Sequence, residues 1–335
     1  MLRFIITVGA ALCCVSPAFA QKSDTPVSYD KMLTKYPYPF EVHRYRFTSQ
    51  GQALEMAYMY LPARGGKPVV MLLHGKNFTG AYWKQTAKWL QSRGYGVLVP
   101  DQIGFGKSSK PRDYQYSFAA FARNTKGLAD SLHLGKVIVV GHSMGGMLAS
   151  RFALFYPEMT LRLVLVNPIG LENYLLYEEY KDVDFFYQTE LKKTAEDIVT
   201  YQKKNYYDGV WNAAYAALTT PLIGWMQGPD WDDIAYISGR CYDMIFTQPV
   251  IEEFKDFEVP VSLILGTRDR TGPGRNWKKA GTSYELGRYD LLGEKVKARN
   301  PAIEVIELDG LGHLPQIEDF GRFKAAFSKA LSFGK

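Results

Sequence analysis

The residues best suited to chemistry lie in Gly141-His142-Ser143-Met144-Gly145-Gly146, directly after the apolar run Lys136–Val140 and at the start of a stretch with helical period. Gly-x-Ser-x-Gly between a strand and a helix carries a serine on a tight turn, where its hydroxyl can attack a carbonyl carbon. Such a turn strains the backbone and leaves no space for side chains beside it, a demand that Gly141 and Gly145 meet. A helix opening at Met144 points its amide groups toward a developing oxyanion. The plainer reading is a glycine-rich connection that binds a ligand or merely turns; the flanking strand and helix favour the nucleophile.

Serine is a weak nucleophile without a base, and a base needs an orienting acid. The chain has five histidines. His43 falls in an amphipathic hairpin, His133 ends a helical stretch, His142 lies inside the serine turn, and His74 suits a backbone role after the run Pro68–Leu73. His313 remains, in the loop Gly310-Leu311-Gly312-His313 beyond the last apolar run, where open α/β sheets place their sites. Two acids compete. Asp269 closes the run Pro260–Leu265 and gives the chain order serine, acid, histidine, whereas Asp309 lies four residues before His313 and suits loop capping. Asp269 is favoured. The oxyanion hole needs a second donor besides the Met144 amide, and the loop His74-Gly75-Lys76-Asn77-Phe78 is placed to give it through the backbone N–H of Lys76 or Asn77.

The elements that would hold these residues are legible from hydrophobic patterning. Glu41–Thr48 and Gln52–Leu61 alternate apolar and polar residues around Ser49-Gln50-Gly51 and predict a β-hairpin. Continuous apolar runs follow at Pro68–Leu73, Gly96–Pro100, Lys136–Val140, Arg162–Val166, Pro260–Leu265 and Ala302–Leu308, as expected of strands buried on both faces. Ala81–Arg93, Ser117–Leu134, Met144–Tyr156 and Arg322–Leu331 have helical period. Strand and helix alternate, which predicts an α/β fold with an open, mostly parallel central sheet and helices on both faces. Leu171–Phe246 breaks the alternation, with helical pattern, no convincing strand and 16 aromatic residues in 76. It reads as a helical cap whose rings are mostly packing residues.

Composition narrows the function. The 335 residues are 47% hydrophobic and 22% charged, with a net charge of +6 and no basic block, so nucleic acid is not an expected partner. Arg3, the apolar run Phe4–Val15, Pro17 and Ala18-Phe19-Ala20 read as a signal peptide over 1–20, cleaved after Ala20. The expectation is an exported protein, periplasmic or secreted, with no membrane span after that removal. Cys13 and Cys14 lie in the leader, which leaves Cys241 alone and excludes an internal disulfide. Gly104-Phe105-Gly106-Lys107-Ser108 fails as a phosphate loop because the required first glycine falls on Asp101, and no histidine pair or His/Asp cluster points to a metal. No cofactor is expected.

Taken together, Leu73-His74-Gly75, Asp101-Gln102-Ile103-Gly104-Phe105-Gly106-Lys107-Ser108, Gly141 to Gly146, Asp269 and Gly312-His313 resemble, in order and across most of the chain, the α/β-hydrolase superfamily. The resemblance implies a Ser143–His313–Asp269 triad with Met144 completing the oxyanion hole. It implies core segments at 21–170 and 247–335, with a cap at 171–246 inserted after the sixth strand. Epoxide hydrolases and haloalkane dehalogenases of this fold carry an aspartate nucleophile, so Ser143 weighs against both activities. The expectation is a serine hydrolase acting on an ester, thioester or lactone with an apolar or aromatic group. The alternatives are C–C bond hydrolysis, amide or peptide cleavage, acyl transfer to an alcohol, and a ligand-binding protein without turnover.

Overall fold

The computed structural model describes residues 27–334, so the expected leader over 1–20 and its cleavage point lie outside the described residues. An eight-stranded sheet runs in the order β1-β2-β4-β3-β5-β6-β7-β8. Its first two strands, β1 (His43–Ser49) and β2 (Gln52–Leu61), form the hairpin. Gln50 and Gly51 join them at φ 51° and 73°, the positive pair that a two-residue turn matched to strand twist requires. The strands β3 (Val69–Leu73), β4 (Gly96–Pro100), β5 (Val137–His142), β6 (Thr160–Val166), β7 (Val261–Gly266) and β8 (Glu304–Leu308) pair in parallel, while β2 meets β4 antiparallel.

Side chains alternate across a strand, so an unbroken apolar run supplies both faces of a sheet. Met71, Leu98, Val139, Leu163 and Leu265 enter one core; Val70, Val97, Val140, Val164 and Ile264 enter the other. The helices α2 (Phe118–Ser131), α3 (Met144–Phe155) and α8 (Tyr289–Arg299) cover the first face. On the second lie α1 (Lys84–Ser92) and α10 (Phe320–Ala330), the latter preceded by the single turn α9 (Pro315–Glu318).

Between β6 and β7 the chain leaves the sheet and forms α4 (Val183–Lys192), α5 (Ala195–Tyr207), α6 (Ala213–Met226) and α7 (Trp231–Thr247). Local chemistry starts three of these helices. Asp182 and Asn212 accept first-turn amides, and Thr194 with Asp197 forms a reciprocal capping box.

Two features were not expected from the sequence. Gly272–Asn300, to which patterning assigned no element, ends in α8. The polar lead-in is docked as a strap: Tyr29 N–H donates to Gly224 O at 2.8 Å, Lys31 N–H donates to Asp230 at 2.7 Å, and Leu33 is fully buried beside Trp225 and Ile234.

Candidate active site

β5 ends at His142 and α3 begins at Met144, which leaves Ser143 alone at the corner with φ 56° and ψ −124°. A non-glycine residue holds such a conformation only where its surroundings over-determine it. They do so here by contact. A Cβ on Gly141 would stand 2.1 Å from the Gly145 carbonyl oxygen, and one on Gly145 would stand 2.4 Å from that of Leu73. The corner is also pinned by the Ser143 N–H to Val166 O at 3.3 Å and the Ile169 N–H to Ser143 O at 3.2 Å. Met144 is the first helical residue, so the positive end of the α3 dipole lies at the serine.

The ends of β7 and β8 bring the acid and the base together. His313 Nδ1 lies 2.7 Å from Asp269 Oδ2, both side chains fully buried. The carboxylate of Asp309, the rival, accepts from the Thr267 hydroxyl at 3.1 Å in an exposed loop contact, and its carbonyl accepts from Arg322. Asp269 also accepts from Thr271 N–H at 2.8 Å and Asn167 Nδ2 at 3.0 Å. Burial works to raise its carboxyl, but His313 and these donors outweigh burial and hold it below the usual carboxylate range. The acid and base loops are knitted together: Arg268 N–H donates to Leu311 O, its Nε donates to Gly310 O, and Glu318 takes both the Arg268 guanidinium and the Gly312 N–H. Among the described residues, His313 Nε2 has no hydrogen-bond partner. Ser143 is 7% exposed, so the whole centre is covered.

The loop after β3 lies against the serine. A Cβ on Gly75 would be 3.0 Å from Ser143 Cβ and 3.3 Å from His142 Nδ1. The side chains of Lys76 and Asn77 turn away into the helical insertion, where Lys76 Nζ donates to Ser238 Oγ at 2.6 Å and Asn77 Nδ2 donates to Tyr206 OH at 3.1 Å. What the pair can offer Ser143 is therefore backbone N–H.

Three residues at the centre were invisible to sequence reasoning. His142 has both ring nitrogens engaged, Nδ1 with Tyr82 OH at 2.9 Å and Nε2 with the His313 carbonyl at 2.8 Å, so it ties the serine corner to the base loop. Burial pushes its pKa well below the ordinary histidine value. Asn167, at the end of β6, donates to Asp269 and accepts from Gly266 N–H at 2.9 Å. Its place at a strand's carboxyl end was the one available signal. Tyr206 of α5 stacks on His313, ring centroids 4.5 Å apart. Asp101 accepts from Gly80 N–H, Lys107 N–H and Tyr38 OH. His74 accepts from Gln102 N–H through Nε2 at 3.1 Å.

Among the described residues, no group of three or more His, Cys, Asp or Glu side chains is placed to hold a metal ion, and no helix is long and apolar enough to cross a membrane. An apolar cleft of about 330 Å³ opens between the strap, the loop after β3 and α6, lined by Tyr36, Pro39, Phe78, Tyr82, Leu218 and Pro221. No residue of the triad lines it.

Comparison with known proteins gives the family and the fold. A family model for the alpha/beta hydrolase fold matches residues 68–213. A probable hydrolytic enzyme of Pseudomonas aeruginosa PAO1, known from its crystal structure, is 41% identical, with 92% of this chain and 99% of that one aligned and a TM-score of 0.88. A thermophilic esterase of Thermogutta terrifontis, at 18% identity and TM-score 0.65 over 86% of this chain and 98% of its own, shares the fold alone. The 2-hydroxy-6-oxo-2,4-heptadienoate hydrolase of Pseudomonas putida is 36% identical over 109 residues, 32% of this chain and 39% of its own length. Curated relatives are matched over only 28% to 41% of their lengths.

Proposed function

Because the chain belongs to the α/β-hydrolase superfamily, we propose that it is an exported serine hydrolase that cleaves a carboxylic ester, thioester or lactone through an acyl-enzyme. The observation that carries this reading is the buried 2.7 Å contact of His313 Nδ1 with Asp269, which leaves His313 Nε2 unpartnered beside the serine corner. Ser143 Oγ attacks the carbonyl carbon as its proton passes to His313 Nε2. The oxyanion accepts hydrogen bonds from the Met144 N–H and from the backbone N–H of Lys76 or Asn77. Collapse expels the alcohol, thiol or ring oxygen, which takes the proton from His313. Water, deprotonated by His313, then attacks the acyl carbon, and His313 returns the proton to Ser143 Oγ as the acyl bond breaks and the acid is released. Asp269 holds the imidazole in the working tautomer and stabilises its charged form. Phe78, Tyr82 and Tyr206, packed about His142 and His313, favour an apolar or aromatic substrate group. The exported address rests on the leader over 1–20.

A fluorophosphonate followed by intact-mass and peptide mapping tests the nucleophile. Single labelling at Ser143 is expected, followed by turnover in a panel of esters, lactones and diketones. No labelling of folded protein would favour a binding protein on this fold. A second reading, C–C bond hydrolysis, is favoured by the relative that acts on 2-hydroxy-6-oxo-2,4-heptadienoate; turnover of diketones alone would establish it.

A further inference from the structure

Lys76 is a buried cation that the reaction above does not use. Its side chain is 8% exposed, and every partner of its ammonium lies in the helical insertion. It donates to Ser238 Oγ of α7 at 2.6 Å, stands 3.9 Å from Glu190 Oε1 of α4, and lies 3.6 Å above the Tyr242 ring of α7. Glu190, 3% exposed, is shared with Lys193 at 2.5 Å. The next residue repeats the arrangement on another helix: Asn77 donates to Tyr206 of α5, whose ring stacks on His313. Two consecutive residues beside the nucleophile are thus fastened to three helices of the insertion.

The loop's anchors outside the insertion sit at its two ends. Gly75 O is met by His74 Nδ1 at 2.9 Å and by Phe78 N–H at 3.2 Å, Gly75 N–H reaches the Tyr82 hydroxyl at a long 3.4 Å, and the buried Phe78 ring stacks on Tyr82, whereas the side chains of Lys76 and Asn77 between them reach only the insertion among the described residues. Ser143 is 7% exposed and His313 is fully buried under the stacked ring of Tyr206, so the insertion covers the centre. Moving the insertion aside would return the Lys76 ammonium to water and part it from Ser238, Glu190 and Tyr242 together.

We propose that Lys76 and Asn77 are positioning residues through which the seated insertion fixes the oxyanion loop, so that the hole at Ser143 is complete only when the insertion is closed. The inference rests on Ser143 being the nucleophile and on this loop supplying an oxyanion donor. An ammonium that instead bound a substrate carboxylate would be free to do so, whereas this one is already held by Glu190 and Ser238.

Lys76→Met keeps the apolar stem and leaves Glu190 paired with Lys193, so the fold retains its buried counter-ion. It is expected to lower kcat for neutral aryl esters by about tenfold or more with little change in KM, and to slow fluorophosphonate labelling of Ser143 in parallel, since the phosphonyl oxygen uses the same hole. Lys76→Arg should restore most of the rate. The double variant Ser238→Ala with Glu190→Gln touches only the insertion and should reproduce the loss; it also carries the test if Lys76→Met fails to fold. Thermal unfolding of each variant checks that the fold persists. Wild-type kcat and labelling rate in Lys76→Met, or in the double variant, would overturn the proposal. So would a defect confined to KM for anionic esters. Failure of the nucleophile reading is separate: the wild-type protein would then not be labelled at Ser143.

Discussion

Ser143 holds its hydroxyl at the strand-to-helix corner at the cost of backbone strain. Its φ of 56° with ψ −124° costs a non-glycine residue about 1–3 kcal/mol. Ser143→Ala keeps the strained Cβ and should abolish turnover, a loss of at least about 10³-fold, with the unfolding temperature unchanged. Ser143→Gly should be equally inactive yet unfold higher, by about 1.5 °C for each kcal/mol relieved; an unchanged or lower midpoint would refute the strain argument. Asp269→Asn should lower kcat by about 10³–10⁴-fold while Asp309→Asn stays near wild type, and the reverse ranking would hand the role to Asp309. Two other residues set a pH limit. Burial holds His74 and His142 below the ordinary histidine value, so both stay neutral in the fold while the unfolded chain takes up protons below about pH 6.5. The unfolded state then binds more protons, so stability is complete above that pH and falls as the pH drops through it. Each histidine contributes a slope of about 1.36 kcal/mol per pH unit until its folded value is reached. Denaturant titrations from pH 8 to pH 5 measure this, and flat stability would contradict it.

At the scale of elements, glycines near the serine differ from glycines elsewhere in what surrounds them. Gly145→Ala would drive a methyl to 2.4 Å from Leu73 O and 2.7 Å from His74 O, and should cost about 1–3 kcal/mol or more. Gly135→Ala meets nothing within 4 Å and should change stability by less than about 0.5 kcal/mol. Unfolding midpoints of the two variants decide between crowding and mere loss of flexibility. The strands were legible because each is a mainly apolar run or, in the hairpin of β1 and β2, an apolar–polar alternation, patterns that need no partner to be recognised. The serine corner was legible because Gly141 and Gly145 answer a local steric demand. Asn167 and Tyr206 were not, since each acquires its role from a residue about 100 positions away, Asp269 and His313 respectively. Helix α8 was missed for a local reason: Tyr289, Leu292, Gly293 and Val296 make a narrow buried stripe among charged residues. The strap was missed because Tyr29, Leu33 and Tyr36 meet their apolar partners from a stretch that is otherwise mostly polar and without period.

For the molecule as a whole, the insertion is held to the sheet domain at several places. One is the loop after β3; a second is Arg112, paired with Asp232 and Asp233 of α7; a third is the strap, where Lys31 contacts Asp230 and Asp233 and Trp225 Nε1 donates to Asp30 O. Leu33→Ala removes a fully buried side chain from the small cluster with Trp225 and Ile234, and should cost about 2–5 kcal/mol locally. The expected signature is faster proteolysis within 208–231 while the sheet domain stays resistant; uniform destabilisation would mean that insertion and sheet unfold as one. The strap also sets the timing of assembly. Lys31 and Asp230 are 199 positions apart. At about 5–20 residues per second, a ribosome needs roughly 10–40 s to make the second after the first. For that interval Leu33 lacks Trp225 and Ile234 and Tyr29 lacks Gly224, so the strap docks only after the insertion has been made.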